Sequence, residues 1–135
     1  MYFISRLIVI LLACLFFVPT QAATHHPQDF LKSIHSKPDE GEQIVDHFCA
    51  NCHAVKPMIA IGAPRIGQQQ DWKIRFNQGA KRLFQHTEEG FNAMPPRGGC
   101  FECSDEQLFL AIVAMLPSDL KKGFISELKV YKKNK

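Results

Sequence analysis

Apolar residues appear first as a block and then as stripes. Leu7 through Val18 is unbroken and apolar, behind the basic Ser5-Arg6 and ahead of Pro19-Thr20-Gln21-Ala22. This run of 12 residues falls short of the about 20 that a membrane-crossing helix needs. A basic start, an apolar stretch and a small-residue end describe a secretory signal over residues 1–22. An uncleaved anchor, or lipidation at Cys14, is the lesser alternative. Residues 23–38 form a polar leader, with Phe30, Leu31 and Ile34 as its apolar cluster and room for one loose helical turn. His25 and His26 in it read as solvated, with a stray metal as the sharper alternative.

From Pro38 the pattern is helical. Asp39 is placed to cap a helix, Glu40 and Glu42 suit its first turn, and Gly41, Ile44, Val45 and Phe48 share a face. Gly41 weakens a helix interior, so its presence predicts a second helix crossing closely there. Residues 54–67, with Pro57, Gly62, Pro64 and Gly67, read as a loop. Asp71 then caps a helix holding Trp72, Arg75 and Phe76 that ends near Gly79. Ala80 to Glu89 forms another, with Leu83 and Phe84 inward and Gly90 as its stop. Ser104-x-x-Gln107 has the form of a capping box. Leu108, Phe109, Ile112, Val113 and Leu116 follow as a broad apolar stripe that Pro117 ends, on the helix expected to cross at Gly41. Residues 118–135 carry six lysines and two acids, with Leu120, Phe124, Ile125 and Leu128 at helical spacing. The division is thus 1–22, 23–38, a domain at 39–117 and a basic tail at 118–135, in an all-α class.

Composition changes this picture only at the margins. A formal charge of +3 on 135 residues argues against nucleic acid as the main partner. Of the five cysteines, Cys14 leaves with the signal, and the rest form two C-x-x-C pairs.

The chemistry concentrates at Cys49-Ala50-Asn51-Cys52-His53, a C-x-x-C-H run of the kind that attaches c-type haem. Thiols at this spacing reach the two vinyl groups of one porphyrin edge, and the imidazole that follows binds iron. The Pro64 carbonyl can accept the outer N–H of His53, which would fix the tautomer; an ordinary turn is the competing reading. Met94, in Met94-Pro95-Pro96, is the candidate sixth ligand, on a chain held extended by its prolines. His86 is the runner-up and otherwise a surface residue; Met58 is too near His53 in sequence, and Met115 reads as core filler. Trp72 and Arg75 are candidate donors to a haem propionate, against Trp72 as core filler with a backbone partner and Arg75 in solvent. In an oxidising compartment Cys100 and Cys103 are expected to form a disulfide. A catalytic thiol role for that pair lacks the βαβ context it would need.

Together these residues resemble the class I cytochromes c and, within them, the small bacterial cytochrome c5 group. The resemblance runs from about Gly41 to Leu116 through Cys49-x-x-Cys52-His53, Gly62-Ala63-Pro64, Trp72-x-x-Arg75, Met94-Pro95-Pro96 and Gly98-Gly99-Cys100-x-x-Cys103-Ser104. It implies a small class I cytochrome c fold, helices wrapped around one covalently bound heme c, with His53 and Met94 as axial ligands and a Cys100–Cys103 disulfide. It also implies soluble, non-enzymatic electron carriage in the periplasm between transient redox partner proteins. Phe91 and Asn92 depart from the small or charged residues usual there. Arg97, Lys56 and the tail are expected to steer encounters, the tail toward an acidic partner or an anionic membrane. The alternatives are a labile sixth ligand serving peroxide or gas binding, and zinc held by Cys49, Cys52, Cys100 and Cys103.

Overall fold

A computed structural model describes residues 26–133. The expected signal, Cys14 and His25 lie outside the described residues. Helix α1 spans Pro27–Ile34, α2 Glu40–Ile44 and α3 Ala50–His53; α4 spans Gln69–Phe76, α5 Ala80–Glu89, α6 Asp105–Met115 and α7 Ser118–Lys133. Among the described residues there is no strand, only an isolated antiparallel bridge between Phe91 and Met94. None of their helices is long and apolar enough to cross a membrane.

The fold is built on the crossing of α2 and α6. A Cβ at Gly41 would lie 2.5 Å from the backbone oxygen of Leu110, so the two backbones meet where a side chain would keep them apart. Ile44 and Val45 on one helix and Leu108, Ala111 and Ile112 on the other are buried around this contact. The capping box at α6 forms as read: Ser104 Oγ accepts from Gln107 N, and Gln107 Oε1 accepts from Ser104 N. Asp39 occupies the N-cap of α2 without a side-chain cap bond. Its neighbour Glu40 does the polar work instead. Glu40 is buried, accepts from Gln107 Nε2 at 2.9 Å and from Ser36 N at 2.8 Å, and lies 3.3 Å from His35 Nδ1.

That carboxylate draws the leader onto the domain. The leader is more than one loose turn, because Leu31 and Ile34 are buried in the core and the Phe30 ring stacks on His47 at 4.3 Å. The tail is docked too. Phe124 and Leu128 are buried, and Phe124 stacks on Phe109 at 5.7 Å. Glu127 Oε2 accepts from Ala80 N at 2.9 Å, so α7 caps the first turn of α5. Asp71 does not cap α4, whose N-cap is Gln68. It is drawn to Arg65 instead, accepting from its backbone N–H and its guanidinium.

Gly41→Ala is expected to destabilise the chain by about 1–3 kcal/mol, since backbone must move to admit the methyl; urea denaturation measures it. Burial pushes the Glu40 carboxyl's pKa up, but hydrogen bonds from Gln107, Ser36 and His35 outweigh it and hold the group below its ordinary 4.5. Its contribution is therefore present above that value and is lost as pH falls through the folded-state pKa. Glu40→Gln should lower the denaturation midpoint at neutral pH, with the gap to the unaltered chain closing as pH drops below 4.5.

Candidate functional site

The helix beginning at α2 widens before it reaches the cysteines. Val45–Cys49 is a π-helical turn in which Ala50 N bonds back to Val45 O, and α3 continues from it to His53. Such turns insert a residue into the helical register and re-aim the side chains beyond it. Cys49 and Cys52 emerge as free, half-buried thiols, and His53 closes α3 buried. All three line one cavity of about 430 Å³.

His53 Nδ1 lies 2.7 Å from the Pro64 carbonyl oxygen, to which its N–H donates. The lone pair is thereby assigned to Nε2. Burial pushes the imidazole's pKa down, the Pro64 bond pulls it up, and the Arg75 charge lowers it further. The ring is thus neutral and basic at one nitrogen, the form that binds a metal. Burial, with Cys52 beside it, pushes the Cys49 thiol up to about 12.

Met94 lines the same cavity, half-buried, from the loop between α5 and α6. Its turn is tight: Phe91 N bonds to Met94 O and Met94 N to Phe91 O, at 3.0 and 2.9 Å. Gly90 permits this, with φ +85 and no room for a Cβ, which would lie 2.8 Å from Met94 O. The two prolines do not hold a long extended segment. Pro95 is extended, but Pro96–Gly99 turns at once into a 3-10 turn.

Trp72 is buried and lines the cavity, its ring within 20° of parallel to His53. Its indole N–H donates to the Arg65 carbonyl at 2.8 Å, the backbone partner of the competing reading for this residue. Arg75 also lines the cavity, with Nη1 donating to Asp71 O at 2.7 Å and Nη2 to Gly62 O at 3.1 Å. It is not free in solvent; these two bonds tie the 54–67 loop to α4. His86 is not a plain surface residue, since it lines the cavity with its ring stacked on Phe91 at 4.1 Å. Arg97 donates to Cys103 O and to Asp105 Oδ1, is half-buried and lines the cavity. Met58 is largely exposed and outside the lining.

Cys100 and Cys103 form a disulfide, which leaves no thiolates there for zinc. Among the described residues no group of three or more His, Cys, Asp or Glu side chains could hold a metal ion. The donors the cavity does offer are the imidazoles of His53 and His86, the thioethers of Met94 and Met115 and the thiols of Cys49 and Cys52, set in walls that include Ile44, Leu83 and Ile112. That set fits a flat, largely apolar macrocycle with a metal at its centre.

A family model described as cytochrome C oxidase, cbb3-type, subunit III matches residues 36–112. Cytochrome c5 of Azotobacter vinelandii is 36% identical over 77 residues, covering 56% of this chain and 89% of that protein. Cytochrome c5 of Ectopseudomonas mendocina is 37% identical over 76 residues, covering 55% and 84%. The chain belongs to the cytochrome c family, in the cytochrome c5 group. A third relative, cytochrome c-555 of Chlorobaculum tepidum, is 31% identical over 80 residues, covering 56% and 71%. The family match contains α2 to α5 and most of α6, and thus every cavity-lining residue named above except Met115. Helices α1 and α7 lie outside it.

Sequence reasoning missed Thr87 and Leu83 as cavity walls and the Arg65 carbonyl as the indole's partner. Helical spacing from Leu83 to Thr87 was the one signal available; a backbone carbonyl leaves none. Trp72→Phe keeps an aromatic wall but removes the donor to Arg65 O and the volume of the indole's second ring from a side chain that is buried. It should cost about 1–3 kcal/mol in denaturant unfolding, one hydrogen bond together with a partly unfilled space.

Proposed function

We propose that this cytochrome c family chain is an exported electron carrier holding one haem c, attached through Cys49 and Cys52 and ligated axially by His53 and Met94. The observation that carries the proposal is the His53–Pro64 hydrogen bond, which commits the imidazole to one tautomer inside a cavity that Met94 shares. A bound haem would supply an iron centre that takes and gives one electron.

The protein's part is to hold and tune. Cys49 and Cys52 provide the two sulfurs for the porphyrin edge. Pro64 accepts from Nδ1 and so raises the electron density that His53 presents at Nε2. The Met94 thioether is a soft, neutral donor that favours the reduced metal and raises its potential. Apolar walls exclude water and act in the same direction. Were His53 and Met94 both to hold the iron, no coordination site would be left for a substrate, which would suit a carrier and not an enzyme. Redox partner proteins would dock briefly, over a small interface, near Cys49 and Cys52. The apolar run at 7–18 supports export to the periplasm. Because the apolar face of α7 is packed on the core, any membrane contact through the tail would rest on its lysines.

Protein matured in a host that attaches c-type haem should be coloured, retain its haem after denaturation, and show one haem per chain by pyridine hemochrome assay. Met94→Ala should lose the sulfur-to-iron charge-transfer band, bind carbon monoxide rapidly, and fall in potential by on the order of 100 mV. A colourless product, or rapid carbon monoxide binding by the unaltered protein, overturns the proposal.

A further inference from the structure

The loop bearing Met94 is pinned on both sides. Before it stands the Phe91–Met94 bridge; after it the chain runs through three successive residues of positive φ, Arg97 at +57°, Gly98 at +61° and Gly99 at +86°. The glycines take this conformation without steric cost, but Arg97 carries a Cβ and does not. Its side chain supplies the compensation. Nη2 donates to the Cys103 carbonyl and, at 3.0 Å, to Asp105 Oδ1. Cys103 is anchored by its disulfide, and Asp105 opens α6. Arg97 thus bolts the turn after Met94 to the end of the helix whose Leu108, Ala111 and Ile112 also line the cavity. The turn lies close to the sulfur side chain, since a Cβ at Gly98 would sit 3.5 Å from Met94 Cε.

We infer that Arg97 is a positioning residue for Met94, holding the thioether in place as the sixth ligand through the paired bonds to Cys103 and Asp105. This rests on the reading of Met94 as the sixth ligand. Arg97 lines the cavity and acts on the thioether through the loop that its bonds hold. Both bonds leave one guanidinium nitrogen, Nη2, and lysine keeps the charge on a shorter side chain whose ammonium does not reach the same point. Glycine removes the bolt and at the same time relieves the positive φ.

The test uses the ferric holoprotein titrated with imidazole, which competes with Met94 for the iron. Arg97→Gly should bind imidazole about tenfold more tightly, as loss of a charge-assisted bond would allow, and should show a weakened sulfur-to-iron band. Arg97→Lys should fall between it and the unaltered protein. Phe124→Leu, in the core beneath α7 and outside the cavity lining, should lower the unfolding midpoint and leave imidazole affinity unchanged. If Arg97→Gly and Arg97→Lys bind imidazole as the unaltered protein does, while that protein shows the band, the inference fails and the Met94 reading stands. If Phe124→Leu raises the affinity as much as Arg97→Gly, the effect is general loosening and the inference fails. If the unaltered protein lacks the band, both fail together.

Discussion

At 2.7 Å, the bond from His53 Nδ1 to the Pro64 carbonyl joins the end of α3 to a loop with no regular structure of its own. Further bonds hold that loop in place, among them Ile66 N to His53 O, Gly67 N to Met115 O, Arg75 Nη2 to Gly62 O, and Trp72 Nε1 to Arg65 O. Proline is well suited to the accepting position, having no N–H to draw its peptide toward another partner. The consequence is a buried imidazole with its tautomer assigned and one nitrogen facing its task as a base. Every chemical role proposed for the cavity assumes that state of His53.

The surrounding helices serve this constraint by rigidity. The Gly41 contact sets α2 against α6 at backbone distance, and the run from α2 through the π-turn to α3 carries that placement to Cys49, Cys52 and His53. On the other side, the Met94 loop depends on Gly90 before it and on Arg97, with the disulfide, after it. Polar groups that look free for partners on a linear chain are largely committed inside. Glu40 joins the α1–α2 turn to α6, Glu127 caps α5, and Asp71 is paired with Arg65. The two helices outside the family match are held by such contacts and by buried Leu31, Ile34, Phe124 and Leu128.

Features carried by local chemistry were legible in the chain. The Ser104–Gln107 box, the stop at Gly90, the Gly41 crossing and the Pro64 acceptor each depend on a residue type whose physics is specific at its own position. Readings that assigned a polar side chain to one of several neighbours fared less well. Asp39 and Asp71 were both plausible caps, yet helix starts are decided by whichever acceptor is nearest once the chain has folded. For Trp72 the sequence left a cofactor and a backbone partner both open, and the carbonyl that its indole meets lies seven residues earlier.

The sequence alone determined the helical class, the pairing of thiols with an imidazole at C-x-x-C-H, and the presence of a methionine framed by prolines. These are matters of residue type and near-neighbour spacing, and they hold whatever the rest of the chain does. Tertiary structure decided the π-turn ahead of Cys49, the docking of the leader and tail, and the employment of Arg75 and Arg97 as ties between loops and helices. Long cationic side chains can reach many oxygens, and small amphipathic segments can cover many surfaces. Which ones they meet is set by contacts between residues far apart in sequence, and no local pattern records those.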